Sequence, residues 1–261
     1  MKKTISILAG IICVCSIMNT HISAVSDEAM SFYCIRNKEH KQPRLDPNMS
    51  FIEKYDAYYV DKTHPDSVDD KVIYLTFDAG YENGNIQKIL DVMRDENVTG
   101  AFFILENLIK KDPELVCRMA DEGHIVANHT SRHKDMTKVD NIDDFASELD
   151  ALNELYRSVT GRNMAKYYRP PEGRFDERSL SYAEKLGYKT VFWSFAYADW
   201  DNNKQPSADA AKAKIFDNLH NGAVILLHPT SATNAEILSD VIHSLRSDGY
   251  RFGTLDELTA Q

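Results

Sequence analysis

The chain has 261 residues, of which 43% are hydrophobic, and its formal net charge is -10. This length suits one large α/β domain or two smaller ones, and the apolar content is sufficient for a buried core. Binding to nucleic acid needs a clustered basic face, and the sequence contains none. We therefore expect no nucleic-acid partner and a small neutral or sugar-like substrate.

The first 24 residues, "MKKTISILAGIICVCSIMNTHISA", have the layout of a secretory signal peptide. Lys2 and Lys3 precede an apolar run, and small and polar residues follow it up to Ala24. The run is shorter than the roughly 20 apolar residues of a membrane span, so no stable span is expected. The sequence thus predicts a secreted protein, in which Cys34 and Cys117 remain as a disulfide or as free thiols.

Residues 25–70 contain three prolines and little periodicity, which predicts an extended leader before a domain at 71–261. From residue 71 onward, short apolar runs of the buried-strand type recur between amphipathic helical segments. These runs lie at 71–77, 100–105, 124–128, 166–169, 190–196, 223–227 and 250–255.

Strands that alternate with helices indicate a parallel sheet, and about seven repeats predict an α/β fold of the (β/α) barrel type, as a complete or an incomplete barrel. Before the last long helix, Thr233 and Glu236 predict a capping box. In such barrels the chemistry is found where the strands end. Polar residues that end these strands are therefore the candidate site.

Asp78 is a single acid at the end of the first strand, in "YLTFDAGYENG". Asp before a small residue and Gly is also typical of a simple turn. The segment alone therefore leaves open whether Asp78 belongs to the candidate site or only begins a turn.

His129 and His133 lie at positions i and i+4 of "HTSRH". If this turn is helical, both imidazoles lie on one side and can bind a divalent metal, whereas two surface histidines are the alternative.

Three more titratable residues end apolar strands. Arg169 and Asp199 carry single charges that are costly to bury unless they are paired, with each other or with Asp78. His228 ends the most apolar strand, where an imidazole is either a satisfied core residue or a general acid.

Together, "TFDAG", "HTSRH", "RPPEG", "DW" and "LLH" resemble the five ordered motifs of the polysaccharide deacetylases, which are carbohydrate esterases with a distorted (β/α) barrel. The resemblance covers about residues 71–258. The longer runs "FWSFAYADW" and "LLHPTSATNAEIL" are similar to the delta-lactam-biosynthetic branch, which acts on muramic acid in peptidoglycan.

The resemblance implies a role for each residue that matches a motif. Asp78 would be the catalytic base and His228 the general acid, while Arg169 would hold Asp78 and Asp199 would orient Arg169. The implied metal ligands are His129 and His133, for Zn, Mn, Co or Mg, and the implied substrate-binding residues are Tyr81, through its backbone N–H, Pro171, Trp200 and Leu226.

One residue departs from the family pattern. Most members have a second acid, a metal ligand, at the position of Ala79, which offers no oxygen and implies weakened metal binding.

The expected function is removal of acetyl from N-acetylmuramic acid in peptidoglycan glycan strands, after an amidase has acted, leading to the delta-lactam. The alternatives are an N-acetylglucosamine deacetylase and a glycan-binding pseudoenzyme.

Overall fold

The computed structural model describes residues 26–260, so the predicted signal peptide lies outside the described residues. The strands are β1 Met30–Ser31, β2 Cys34–Ile35, β3 Arg44–Leu45, β4 Ala57–Tyr58, β5 Lys71–Ala79, β6 Ala101–Ile104, β7 Ile125–Asn128, β8 Tyr167–Tyr168, β9 Arg174–Phe175, β10 Lys189–Val191, β11 Ala223–Leu227 and β12 Tyr250–Phe252. The α-helices are α1 Asn85–Asp95, α2 Glu106–Lys111, α3 Pro113–Asp121, α4 Ile142–Thr160, α5 Glu177–Lys185, α6 Ala208–Phe216, α7 Ala232–Ser247 and α8 Leu255–Leu258. Short 3-10 helices span Pro47–Lys54, Met136–Lys138 and Pro171–Gly173.

The main sheet has eight strands, in the order β11-β5-β6-β7-β8-β10-β4, with β12 paired to the start of β5. All of its strand pairs are parallel. Seven of these strands overlap the seven apolar runs of the sequence. Single bridges, Val60 to Ala223 and Phe195 to Ile225, bring the two ends of the sheet together. The predicted distorted (β/α) barrel is therefore confirmed.

The longest strand, β5, separates two apolar clusters because successive side chains point to opposite faces. Ile73, Leu75 and Phe77 pack with residues of the surrounding helices, whereas Val72 and Tyr74 belong to a second cluster on the other face. By this alternation, Asp78 lies on the inner face of the barrel, at the carboxyl end of the strand.

Residues 26–70, predicted as an extended leader, contain β1 to β4, and β4 pairs with β10 as the eighth strand of the main sheet. Phe32, Met49 and Ile52 of this segment pack with Phe175 and Phe192 in one buried cluster.

Two local features answer open questions from the sequence. The predicted capping box at Thr233 and Glu236 is wrong, because α7 begins earlier and Ser231 is its N-cap, accepting the backbone N–H of Asn234. Cys34 and Cys117 are both free thiols. Within residues 26–260, the helices lack the combination of length and apolar character that crossing a membrane requires.

Candidate active site

The carboxyl ends of the parallel strands open into a cleft of about 620 Å³. Parallel strands bring residues that are far apart in sequence to one rim, which is where barrels carry their chemistry. The cleft is lined by Asp78, His129, His133, Glu172, Gly173, Trp193, Ala196, Tyr197, Trp200, Leu226 and His228.

Arg169 fixes Asp78 from beneath the cleft. Its Nη1 donates to Asp78 Oδ1 at 2.8 Å, and the guanidinium is fully buried. The other guanidinium N–H groups donate to the carbonyls of Val191 and Phe192 and to the hydroxyl of Thr76. The predicted contact between Arg169 and Asp78 is thus present, and the backbone of the neighbouring strand sets its direction.

The same surroundings set the charge of Asp78. Burial alone would raise the pKa of its carboxyl, but the positive charge of Arg169, followed by His129 and His228, outweighs burial and lowers this pKa. Asp78 is therefore an ionised carboxylate facing the cleft, which is the form that a general base needs.

Asp199 contacts His228 and not Arg169, so the expected contact between Asp199 and Arg169 is wrong. Asp199 is fully buried and accepts His228 Nδ1 at 2.6 Å and the His228 backbone N–H at 2.8 Å. The physical reason is that the N–H groups of Arg169 are already bonded to Asp78, Thr76 and strand carbonyls.

Asp199 also determines the protonation of His228. Because Nδ1 faces a carboxylate it carries a hydrogen, which leaves Nε2 for the cleft. Burial alone would lower the pKa of His228, but the hydrogen bond and charge of Asp199 outweigh burial and raise it. The protonated form of the imidazole that lies opposite Asp78 is therefore favoured.

Asn234 belongs to this network and was not identified from the sequence. Its Nδ2 donates to Asp199 at 2.7 Å and to the carbonyl of His228 at 3.1 Å, while its Oδ1 accepts the hydroxyl of Tyr197. The residue is buried in the first turn of α7. The polar residue in the turn after "LLHP" could have indicated a role in the site. Polar residues are common near helix N-termini, however, so its presence alone did not distinguish such a role from helix capping.

His129 and His133 are brought together by an irregular turn and not by a helix. Thr130 and His133 have positive φ values of 69° and 57°, and the two imidazole centroids lie 5.1 Å apart. His129 Nδ1 donates to the carbonyl of Arg169 at 2.9 Å, so its Nε2 has a free lone pair. This Nε2 lies 3.6 Å from Asp78 Oδ2.

These two residues fit a divalent metal with two protein nitrogen ligands. Burial lowers the pKa of His129 to about 4, which keeps the imidazole neutral, as a metal ligand must be. No group of three or more His, Cys, Asp or Glu residues that could hold a metal occurs in the described part of the chain. Ala79 is fully buried in the apolar cluster under the helices and provides no ligand atom.

The four expected substrate-binding residues differ in their placement. Trp200, which is 59% exposed, and the buried Leu226 line the cleft. The ring of Trp200 lies 6.0 Å from that of His228. Tyr81 is at the surface, three residues beyond Asp78, and Pro171 precedes Glu172; neither Tyr81 nor Pro171 is among the lining residues.

The loop at Glu172 and Gly173 forms one wall of the cleft and depends on the N-terminal segment. Both residues have left-handed backbone, and a Cβ at Gly173 would lie 2.7 Å from the ring of Trp193. The N–H of Phe32 donates to the carbonyl of Gly173 at 2.8 Å, and β1 pairs with β9 directly after this loop. No motif or periodicity in the sequence indicated that Phe32 supports the cleft.

Residues 66–191 match the family described as polysaccharide deacetylase. The peptidoglycan-N-acetylmuramic acid deacetylase PdaA of Bacillus subtilis is 42% identical over 236 residues, which is 90% of this chain and 88% of that protein. The chain belongs to the polysaccharide deacetylase family. Members of this family hydrolyse amide bonds, generally with a metal, so the chain is a hydrolase of the carbohydrate esterase type.

Two solved structures support the same assignment. The structure of PdaA, a family 4 carbohydrate esterase, has a TM-score of 0.84 and covers 90% of this chain and 98% of its own. A family 4 carbohydrate esterase from Bacillus anthracis is 36% identical, with a TM-score of 0.73 and the same coverage. A peptidoglycan-N-acetylglucosamine deacetylase of Bacillus cereus is 33% identical over 80% of this chain and 74% of that protein.

Proposed function

We propose that this deacetylase removes the acetyl group from N-acetylmuramic acid in peptidoglycan glycan strands, outside the cytoplasmic membrane. The observation that carries the proposal is the pairing in one cleft of Asp78 on Arg169 with His228 on Asp199. The extensive similarity to a relative named as an N-acetylmuramic acid deacetylase supports the choice of sugar.

In the proposed reaction, Asp78 takes a proton from the attacking water as its oxygen bonds to the acetyl carbon. His228 then donates its Nε2 proton to the sugar nitrogen as the amide C–N bond breaks, which yields acetate and a free amine. The backbone N–H of Tyr81 is proposed to stabilise the oxyanion. When bound to His129 and His133, a divalent metal such as Zn, Mn, Co or Mg supplies polarisation of the acetyl carbonyl.

The amine that this reaction frees lies next to the lactyl group of muramic acid. When an amidase has removed the stem peptide, the amine can close on the lactyl carboxylate as a delta-lactam. We therefore propose that the enzyme acts after such an amidase, on stripped strands, and that residues 1–24 direct it to the cell wall as a signal peptide.

Mass spectrometry of glycan strands incubated with the enzyme tests this proposal, with and without prior amidase treatment. Loss of one acetyl group from muramic acid in stripped strands is the expected result, and Asp78→Asn is the inactive control. Acetyl loss from glucosamine residues alone would favour the N-acetylglucosamine deacetylase. Binding of strands without any acetate release, at saturating metal, would favour the glycan-binding pseudoenzyme.

A further inference from the structure

The described residues that line the catalytic cleft offer no free cation to a carboxylate on the substrate, because His228 already pairs with Asp199. Among the described residues that line it there is no lysine or arginine, while Asp78 and Glu172 both contribute carboxyl groups. Arg169 is fully buried beneath Asp78. A lactyl carboxylate must therefore find its counter-charge outside this cleft, if stripped strands are the substrate as proposed above.

A second concavity of about 480 Å³ adjoins the cleft on the other side of Trp200. It is lined by Ala198, Trp200, Asp201, Lys204, Gln205, Pro206 and Lys214. Trp200 lines both spaces, and the Nζ of Lys214 lies 5.7 Å from the centroid of Tyr197, a wall of the cleft. A glycan that lies across Trp200 would therefore contact both concavities.

The two lysines of this concavity are available to a ligand. Within residues 26–260, neither Lys204 nor Lys214 has an ion-pair partner, whereas Lys212 on the same helix pairs with Asp240 at 3.2 Å. The net charge of the whole chain is -10, whereas the lining of this concavity contains two lysines and one acid. Asp201 is the one acid in the lining, so the concavity keeps an excess positive charge.

The loop that carries Lys204 is held in place before any ligand binds. Gln205 Nε2 donates to the carbonyls of Asp199 and Asp201 at 2.8 and 2.9 Å, and its Oε1 accepts the hydroxyl of Ser231. Asp199 is also the partner of His228, so one side chain connects this loop to the acid of the reaction. A preformed loop lowers the entropy that binding costs.

We propose that Trp200, Lys204 and Lys214 form a lysine subsite that binds the lactyl carboxylate of a glycan strand beside the catalytic cleft. The exposed indole of Trp200 offers its apolar face to a sugar ring, and the two ammonium groups pair with the carboxylate. Stem-peptide carboxylates have the same chemistry but lie farther from the sugar. The lysine subsite thus favours strands whose lactyl group is free.

Calorimetric titration with a muramic-acid tetrasaccharide that bears free lactyl groups tests the lysine subsite. The double variant Lys204→Gln/Lys214→Gln should bind it about two- to thirtyfold more weakly at low salt, as expected for two exposed ion pairs. The wild-type affinity should also fall as salt is added, more steeply than that of the variant. Lys212→Gln is the matched control, because it removes a lysine of the same helix that already has a partner.

Two further ligands identify the source of the carboxylate. The affinities of the double variant and the wild type for the neutral oligomer chitotetraose should agree within twofold. The two substitutions should weaken binding of a stem-bearing tetrasaccharide less than binding of the stripped one. Equal affinities of wild type and double variant for the stripped ligand would overturn the lysine subsite. A larger loss with the stem-bearing ligand would overturn the assignment to lactyl. Acetate release from the same tetrasaccharide tests the proposed function separately.

Discussion

Replacing Asp199 by Asn tests how the structure prepares its general acid. The carboxylate of Asp199 accepts the Nδ1 and backbone N–H groups of His228 and the amide of Asn234, at 2.6, 2.8 and 2.7 Å. Asn keeps the shape of the side chain but removes the charge that holds the imidazole protonated. The variant should therefore fold and bind glycan, yet protonate the leaving amine poorly.

The size of the effect follows from these contacts. Hydrogen bonds to a charged group contribute about 1.5–3 kcal/mol each, and general acid catalysis contributes about 10²–10⁴-fold. We expect kcat/KM to fall about 10²–10³-fold. Because Asp199 raises the pKa of His228, its loss should lower that pKa and move the alkaline limb of the pH profile to lower pH.

The stability of the variant should depend on pH in a defined direction. The pKa of His228 is raised on folding, so its contribution to stability is complete below the unfolded pKa of about 6.5 and is lost as pH rises through the folded pKa. The difference in free energy of unfolding between wild type and Asp199→Asn should therefore shrink as the pH increases.

Acetate release measured between pH 5 and 9, together with urea unfolding, would check both expectations. Asp209→Asn is the control, because Asp209 is an exposed carboxylate that lines neither the cleft nor the lysine subsite and lies 4.0 Å from Lys212. An unchanged alkaline limb in Asp199→Asn would refute the idea that this carboxylate sets the protonation of His228.

Four other substitutions examine the rest of the site. Asp78→Asn and His228→Ala should each reduce turnover at least a hundredfold without unfolding, and near-normal acetate release by either variant would contradict its role. Ala79→Asp should lower the Tm, because Ala79 lies in the apolar cluster on the face of β5 opposite Asp78, and calorimetry should show unchanged divalent-metal affinity; tighter metal binding would mean that position 79 reaches the metal. Asn234→Ala should move the alkaline limb of the pH profile to lower pH, as Asp199→Asn does, but by less. The reason is that it removes one of the three N–H groups that donate to the Asp199 carboxylate. Lower stability with an unshifted profile would mean that Asn234 has only a structural role.

Strand positions were predictable from the sequence because buried parallel strands are nearly continuous apolar runs. Asp78, His129, Arg169 and His228 could then be located, since each ends or directly follows such a run and parallel strands end at one rim. The five ordered motifs added specificity that no single residue provides.

The partners of these residues were harder to predict. Asp199 was expected to orient Arg169 because the family resemblance implied that role, while the two charges alone left a pairing with each other or with Asp78 open. The backbone carbonyls of Val191 and Phe192 bind Arg169 instead, and carbonyl directions leave no trace in a sequence. Sequence periodicity likewise did not reveal that Phe32 supports the cleft wall, since the β1–β9 pair is only two residues long.

The acid and the base of this site have environments that move their pKa values in opposite directions. Arg169 favours the ionised form of Asp78 and Asp199 favours the protonated form of His228, although burial alone would favour the neutral forms of Asp78 and His228. Such a pair is the arrangement that lets one site accept a proton and donate another at the same pH. A glycan-binding protein would gain nothing from burying Arg169 and Asp199 beneath the cleft, because both charges are costly to desolvate. The retention of both partners is therefore a physical argument for hydrolysis.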